Sequence, residues 1–331
     1  MQLRTLYYEK NHPIVADARP KTNLDARRVQ EATTYPFTST IKAMPLTIPA
    51  GLADSCRKSP ERSAWLARLP AVLAELEQRW SLKLGPPIDS DEVSCSYVAP
   101  ATLADGTPAF FKLAMPHMEG RDEIHGLRFW DGDPTVRLLA ADDHLGAMLL
   151  ERCEPGTHLR VLPESAQDAV ISGLLRRLWR APKPPHPFRP LSTLTKYWSE
   201  ETMASSTHWP DAGLVLTGLR LFEELPQTAP AEVLLSTDLH AGNVLRAQRE
   251  PWLVIDPKPF VGDPAYDATQ HLFNCPARLG SDPHGAIRRF ADLLGADHER
   301  VRLWVFARAA AEPRDNWNAS PKFALARALA P

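Results

Sequence analysis

A polar loop in the second half of the chain carries side chains that could handle protons or metal ions. Asp238 and Asn243 lie in the segment STDLHAGN, and Asp256 ends the next apolar run, WLVID. Phosphoryl transfer requires such a set, because one carboxylate must orient the nucleophile while other oxygen ligands hold magnesium against the charge of the phosphates. The D-x-x-x-x-N spacing is typical of a kinase catalytic loop, although a polar loop can supply this pair by chance.

Two residues far upstream give that spacing its context. Lys112 lies near the end of the strand-like run TPAFFKLA, and Glu123 lies in the helical stretch that follows. A kinase uses a strand lysine to pair with phosphate oxygens and a helix glutamate to hold that lysine. Each residue alone would be an ordinary solvated side chain. Together they predict ATP- and Mg²⁺-dependent phosphoryl transfer, with Asp238 accepting the hydroxyl proton and Asn243 and Asp256 binding the metal.

The first half of the chain must position Lys112 and Glu123. Helical spacing starts at Ser59, and Pro70 predicts a division into two helices. The runs EVSCSYVA and TPAFFKLA read as strands of a hairpin that turns at Asp105-Gly106, and VRLLA and GAMLLE read as two further strands. This order predicts an antiparallel sheet with one helix between its two pairs of strands.

The second half is predicted to be mainly helical, apart from three short strand-like runs around the polar loop. The helical runs are VISGLLRRLW, LSTLTKYW and LVLTGLRLFEEL, and the strand-like runs are AEVLL, NVLRA and PWLVID. Asp263 followed by Pro264 predicts the start of a helix. The whole pattern indicates the α+β class, with a poorly patterned extension at 1–43, an N-terminal lobe at 44–151 and a helical C-terminal lobe at 152–331.

Composition excludes several partner classes. With 38 basic and 40 acidic residues among 331, the chain has no general charge that would attract nucleic acid or an anionic membrane. No apolar run reaches the length of a membrane span, and the first residues lack a secretory signal, so the cytoplasm is the expected compartment. The cysteines form no CxxC pair and are expected to be reduced structural thiols: Cys56, Cys95, Cys153 and Cys275.

At these motifs the chain resembles the aminoglycoside phosphotransferase superfamily, and within it the aminoglycoside and hydroxyurea resistance kinases. The resemblance runs from about Ile48 to near the C-terminus, through ADGTPAFFKL, EIHGLRFW, LLERCEPGT, TDLHAGNVL and WLVIDPKPFVGDPAYD. It implies a two-lobed protein-kinase-like fold with ATP in the cleft and adenine on the connector near Glu151 and Cys153. It also implies that C-terminal helices hold the small-molecule acceptor, and that Asp267 braces the catalytic loop.

The chain departs from the superfamily pattern at two places. Ser236 and Thr237 stand where many members have His-Gly before the catalytic aspartate, so a supporting imidazole is missing. The segment SCSYVAP contains no GxGxxG, so other donors must cover the phosphates. These departures make a nucleotide-binding regulator without transfer activity conceivable, but the retained set of charged residues argues against it.

The same residues allow other interpretations. The acceptor is expected to be an aminoglycoside such as streptomycin, and a metabolic sugar or amino-sugar kinase is the alternative, because the scaffold does not fix the acceptor. A zinc site with His240 and His271 lacks the spacing of a metallohydrolase, and a structural role for His240 is favoured. Trp198 lies in KYWSEE, which could line an acceptor pocket, but a half-buried helix with a solvated acidic end is the preferred interpretation.

We expect residues 1–43 to be dispensable for folding and nucleotide binding, because their pattern buries no evident apolar face. A truncated chain that begins at Met44 should keep the melting temperature and the ATP affinity of the full chain, measured by thermal shift with and without Mg-ATP. An insoluble product or a collapsed melting temperature would show that the segment belongs to the folded unit.

Overall fold

The structure is a computed structural model that describes residues 46–89, 95–314, 316–317 and 320–331. The predicted extension at 1–43 lies outside the described residues. The helices are α1 Ala50–Cys56, α2 Pro60–Arg79, α3 Glu123–Trp130, α4 Glu164–Leu178, α5 Leu191–Ala204, α6 Ala212–Gln227, α7 Pro264–Phe273, α8 Pro276–Ser281, α9 Pro283–Leu294, α10 His298–Ala311 and α11 Lys322–Leu329. The strands are β1 Leu82–Leu84, β2 Ser96–Leu103, β3 Pro108–Ala114, β4 Leu138–Asp142, β5 Ala147–Glu151, β6 Val233–Leu235, β7 Val244–Arg246, β8 Trp252–Val254 and β9 Phe260–Gly262.

The first five strands form one antiparallel sheet in the order β1-β2-β3-β5-β4. The predicted hairpin between β2 and β3 is confirmed. Gly106 has a φ of +85°, which glycine adopts without steric cost, and the Asp105 carboxylate accepts the Thr107 N–H at 2.9 Å. The helix α3 lies between the two pairs of strands in sequence, as the pattern predicted.

Side-chain alternation along β3 decides which way Lys112 points. Phe111 and Leu113 are buried in the core on the face covered by α1 and α2, whereas Phe110 packs in a second apolar cluster with Ile124 of α3. Because successive strand residues face opposite sides of a sheet, Lys112 shares the face of Phe110. The strand therefore turns Lys112 toward α3.

The prediction that Pro70 divides the first helical region is wrong. The helix α2 runs unbroken through Pro70, with Ser59 as its N-cap. A proline inside a helix costs one backbone hydrogen bond, and burial offsets that loss here, since Leu69, Leu73 and Leu76 all pack into the core beneath the sheet. Tertiary packing has overridden a local helix breaker.

The second half is helical around α10, whose residues from Val305 to Ala311 are all buried. The strands predicted around the polar loop are present as β6, β7 and β8, and a fourth, β9, pairs with β6. The sequence did not indicate β9, because three apolar residues carry no readable alternation. The lobe boundary after Glu151 stays a prediction, since the residues from Thr47 onward form one compact unit.

The polar loop is fastened to α7 by a buried carboxylate. Asp267 accepts the backbone N–H of Thr237 at 2.7 Å, and those of Ser236 and the Trp179 indole at 3.0 Å each. Burial raises the pKa of Asp267 to about 6, although these three donors act to lower it. Asp263 caps α7 by accepting the Ala265 N–H, as expected. The brace that the resemblance implied for Asp267 is therefore present in the hydrogen bonds.

We expect Asp267→Ala to destabilise the protein by about 3 kcal/mol, because three buried N–H donors lose their acceptor at once. Urea unfolding should show this loss, whereas Glu223→Ala on the exposed side of α6 should change the free energy of unfolding by less than about 0.5 kcal/mol. Equal stability of the two variants would mean that the loop does not depend on this brace.

Candidate active site

Lys112 joins two carboxylates from distant parts of the chain. Its Nζ donates to both carboxylate oxygens of Glu123 at 2.7 Å and to Oδ1 of Asp256 at 2.6 Å. Lys112 and Glu123 are buried, whereas the Asp256 side chain is 42% exposed. The structure thus brings together three of the predicted site residues, from β3, from α3 and from the segment after β8.

The pKa values of Lys112, Glu123 and Asp256 are set by burial and by the charges of one another. Burial disfavours the ammonium of Lys112, but Asp256 and Glu123 outweigh it and raise the lysine pKa above its usual range. Burial also disfavours the charged form of Asp256, yet Lys112 and Lys258 lower its pKa. Burial raises the pKa of Glu123 to about 7 despite the lysine beside it. One cation thus serves two carboxylates, and it favours the ionised form more strongly at Asp256 than at Glu123.

Close packing fixes the position of α3 against the segment that carries Asp256. A Cβ on Gly126 would lie 2.4 Å from Pro259 and 2.8 Å from the Trp130 ring, so only glycine fits this helix position without displacement. Glu123 lies one turn earlier on the same helix. The contact therefore sets how far Glu123 reaches toward Lys112.

The predicted proton acceptor, Asp238, lies at the polar loop with only 8% of its surface exposed. Its Oδ2 accepts a hydrogen bond from Lys258, and its Oδ1 accepts one from Gln270 Nε2 at 2.7 Å. Gln270 is held in turn by Arg308, which donates to its Oε1 at 3.0 Å. The orientation of the carboxylate is thus fixed from both sides by side chains that the sequence analysis did not assign to the site.

Asn243 and Asp256 lie on neighbouring backbone segments, next to the paired strands β7 and β8. The Asn243 Nδ2 donates to the backbone oxygen of Asp238 at 3.0 Å, which leaves Oδ1 available as a ligand. The Ile255 N–H donates to the Asn243 carbonyl at 2.9 Å, which ties the loop to the residue before Asp256. An amide oxygen and an ionised, partly exposed carboxylate are the hard oxygen donors that Mg²⁺ takes. The donor set fits that ion.

Glu151 and Cys153, the connector residues predicted to bind adenine, differ in their hydrogen-bond partners. The Glu151 carboxylate accepts from Arg249 at 2.8 and 2.9 Å, and its N–H donates to the Arg137 carbonyl, so both groups have protein partners. The Cys153 thiol packs in the apolar cluster of Ile124. Among the described residues, the Cys153 backbone N–H has no hydrogen-bond partner. Only backbone groups here remain for a nucleotide base, and the assignment of these residues to adenine stays a prediction.

The zinc alternative gains no support from the positions of the histidines. The His240 Nδ1 accepts the N–H of Gly242 at 3.1 Å, which is a structural role. His271 is fully buried and contacts Asp168 at 2.7 Å, and Arg278 occupies the same carboxylate. His271 is therefore engaged in a separate buried cluster rather than beside Asp238.

Sequence reasoning missed Lys258, Gln270 and Glu119. Lys258 lies two residues after Asp256 between two prolines, a spacing that offered a signal, since both neighbours restrict the backbone. Gln270 and Glu119 gave no comparable signal, because single polar residues on a helix or in a turn are common. Glu119 lies 3.9 Å from the Lys258 ammonium and accepts a 3.4 Å hydrogen bond from the Trp198 indole.

Comparison with known proteins places this geometry in a family. The sequence profile of the aminoglycoside/hydroxyurea antibiotic resistance kinases matches residues 79–318. The chain belongs to that family. It is 38% identical to streptomycin 6-kinase of Streptomyces griseus, over 79% of this chain and 88% of the relative. It is 36% identical to hydroxyurea phosphotransferase of Kitasatospora aureofaciens, over 72% of this chain and 71% of the relative.

A solved structure supports the predicted fold. The choline kinase LicA of Streptococcus pneumoniae superimposes with a TM-score of 0.54 at 12% identity, covering 72% of this chain and 87% of that chain. The two-lobed, protein-kinase-like α+β fold is confirmed. As a member of that family, the protein is an ATP-dependent small-molecule phosphotransferase. Within the described residues, no helix combines the length and apolar character needed to cross a bilayer.

We expect Lys112→Met to lower stability by about 3 kcal/mol and to abolish most turnover, because it leaves Glu123 buried without its cation. Glu123→Gln should cost less, and the double variant should lose less stability than the sum of the two single losses. Urea unfolding and an ATP turnover assay measure the two effects, with Arg128→Met of the exposed Arg128–Asp143 pair as the control. Additive losses would mean that the buried pair carries no coupling.

Proposed function

We propose that this kinase transfers the γ-phosphoryl group of Mg-ATP to a hydroxyl of an aminoglycoside such as streptomycin. The observation that carries the proposal is the convergence of a lysine held by two carboxylates with a separate, oriented carboxylate at the catalytic loop. Lys112 and Asp256 belong to the donor side, and Asp238 belongs to the acceptor side. The identity to streptomycin 6-kinases supports the choice of acceptor.

On the donor side, Lys112 pairs with phosphate oxygens and Glu123 holds the lysine in place. Asn243 and Asp256 would hold a magnesium ion, which would neutralise charge on the triphosphate when bound. The unpartnered N–H of Cys153 is the group that we assign to the adenine ring, together with the backbone near Glu151. Because the reaction consumes ATP, which the cytoplasm supplies, we propose that the protein acts in the cytoplasm.

On the acceptor side, Asp238 orients the hydroxyl and takes its proton. The hydroxyl oxygen forms a bond to the γ-phosphorus, the bond from that phosphorus to the bridging oxygen breaks, and its electron pair leaves with ADP. The proton passes to the Asp238 carboxylate and then to solvent. A positioned acid–base group of this kind contributes about a hundredfold to ten-thousandfold in rate.

The surroundings of Asp238 suit an acceptor that carries positive charge. Glu119 is half-buried: burial raises its pKa, Lys258 lowers it, and Asp238 and Glu312 raise it, so further carboxylates lie near this space beside one lysine. The Trp198 indole N–H donates to Glu119 at 3.4 Å, and the Trp198 side chain is buried. An aminoglycoside offers ammonium or guanidinium groups that can pair with such carboxylates.

Hydroxyurea is a second candidate acceptor, because the chain is 36% identical in sequence to a hydroxyurea phosphotransferase. Hydroxyurea is small and uncharged, so it would reach Asp238 without needing Glu119. A metabolic sugar or amino-sugar kinase remains the further alternative, since all three chemistries use the same donor side.

The deciding experiment measures ADP formation with streptomycin, hydroxyurea, glucosamine, glucose or no acceptor, and weighs the product for one added phosphoryl group. We expect streptomycin to be phosphorylated. Asp238→Asn should lower kcat about a hundredfold or more while binding Mg-ATP nearly as the wild type does. Asp256→Asn should weaken the Mg²⁺ dependence of ATP binding as well as turnover.

Each contrary result has its own meaning. Turnover with the sugars but not with streptomycin would make the protein a metabolic kinase, and turnover with hydroxyurea alone would select that acceptor. Mg-ATP binding without phosphorylation of any acceptor would indicate a nucleotide-binding regulator. Wild-type turnover by Asp238→Asn would refute the role of that carboxylate.

A further inference from the structure

Lys258 is a second buried lysine that the catalytic scheme above does not use. It is 7% exposed, and its ammonium contacts the Asp238 carboxylate and lies 3.9 Å from Glu119. A buried lysine costs free energy unless it is paired, and elsewhere in the site Lys112 already serves the metal side. The chain has therefore placed one cation at each of its two functional carboxylates.

The backbone of Lys258 is fixed by hydrogen bonds on both sides of the residue and by two flanking prolines. Its N–H donates to the Ser236 carbonyl at 2.9 Å, and its own carbonyl accepts the Thr237 hydroxyl at 2.6 Å. Pro257 and Pro259 on either side restrict the backbone angles further. The backbone of Lys258 is thus fixed to the residues that directly precede Asp238.

Lys258 lies near residues assigned to both the donor side and the acceptor side of the reaction. It contacts Asp238 and follows Asp256 by two residues in the chain, with only Pro257 between them. The Lys258 ammonium donates to Asp238 and lies 3.9 Å from Glu119, so it is a buried donor held between two carboxylates. A phosphoryl group that passes from a nucleotide near Asp256 to a hydroxyl at Asp238 must travel beside this ammonium.

We propose that Lys258 is a catalytic residue that contacts the transferring phosphoryl group and neutralises the charge on its equatorial oxygens while holding Asp238 toward the acceptor. The proposal rests on the roles given above to Asp238 and Asp256. The role also compensates for the absence of a GxGxxG motif in SCSYVAP. A fixed side-chain donor would make part of the phosphate contact that backbone N–H groups supply in other kinases. The bonds made and broken are those already described, and Lys258 keeps its proton throughout.

The test uses Mg-ADP with aluminium fluoride, a mimic of the phosphoryl group in transit, so no acceptor has to be known. Wild-type protein should bind Mg-ADP more tightly when fluoride and aluminium are present. Lys258→Met should bind Mg-ADP alone with an affinity within about threefold of wild type. The increase in Mg-ADP affinity caused by aluminium fluoride should be at least about tenfold smaller in this variant than in wild type, and Lys258→Arg should recover part of that increase. With an accepted substrate, kcat should fall about a hundredfold or more while the KM for ATP stays within about threefold.

Arg278→Met is the matched control, because it removes a cation from another largely buried carboxylate, Asp168, away from this site. It should lower the melting temperature without changing the response to aluminium fluoride. The proposal is overturned if Lys258→Met keeps the full affinity gain, if it loses Mg-ADP binding in parallel, or if wild-type protein shows no gain. Failure of streptomycin as an acceptor, with the fluoride effect intact, would count against the proposed acceptor only.

Discussion

The need to pair every buried charge is the constraint on which this site depends. Phosphoryl transfer requires carboxylates beside a highly charged donor, yet carboxylates out of water are stable only with a cation close by. The protein meets this need with two lysines. Lys112 joins Glu123 and Asp256, and Lys258 joins Asp238 and Glu119. Because Lys112–Asp256 and Lys258–Glu119 join elements far apart in sequence, the contacts that balance charge also hold the two halves of the site together.

Backbone geometry around the loop supplies the rigidity that these pairs require. Thr237 and Asp256 both have φ angles near +50°, a region that non-glycine residues enter only when their surroundings fix them. The N–H of Thr237 is fixed by Asp267, and its hydroxyl is fixed by the carbonyl of Lys258. The backbone N–H and the hydroxyl of Thr237 therefore tie the residue before Asp238 both to α7 and to the segment of Lys258.

Part of the site was readable from the sequence, because short motifs carry local order. The hairpin before Lys112, the helix with Glu123 and the loop from Asp238 to Asn243 lie in segments whose patterns predict their elements directly. Pro70 shows the limit of such reading, since a local rule predicted a break that packing of the surrounding helix prevents. Gln270 shows another limit, because nothing in the composition of a helix tells which of its polar residues will meet a carboxylate from a distant loop.

The sequence by itself determined the chemistry and its order along the chain: a lysine on a strand, a glutamate on a helix, then an aspartate, an asparagine and a second aspartate around short strands. Only the tertiary structure decided which of these charges share a partner and which lysine serves Asp238. The reason is physical. Motif residues are set by local backbone preference, whereas the pairing of buried charges depends on distance and desolvation, and both exist only after residues more than a hundred positions apart, such as Lys112 and Asp256, have come into contact.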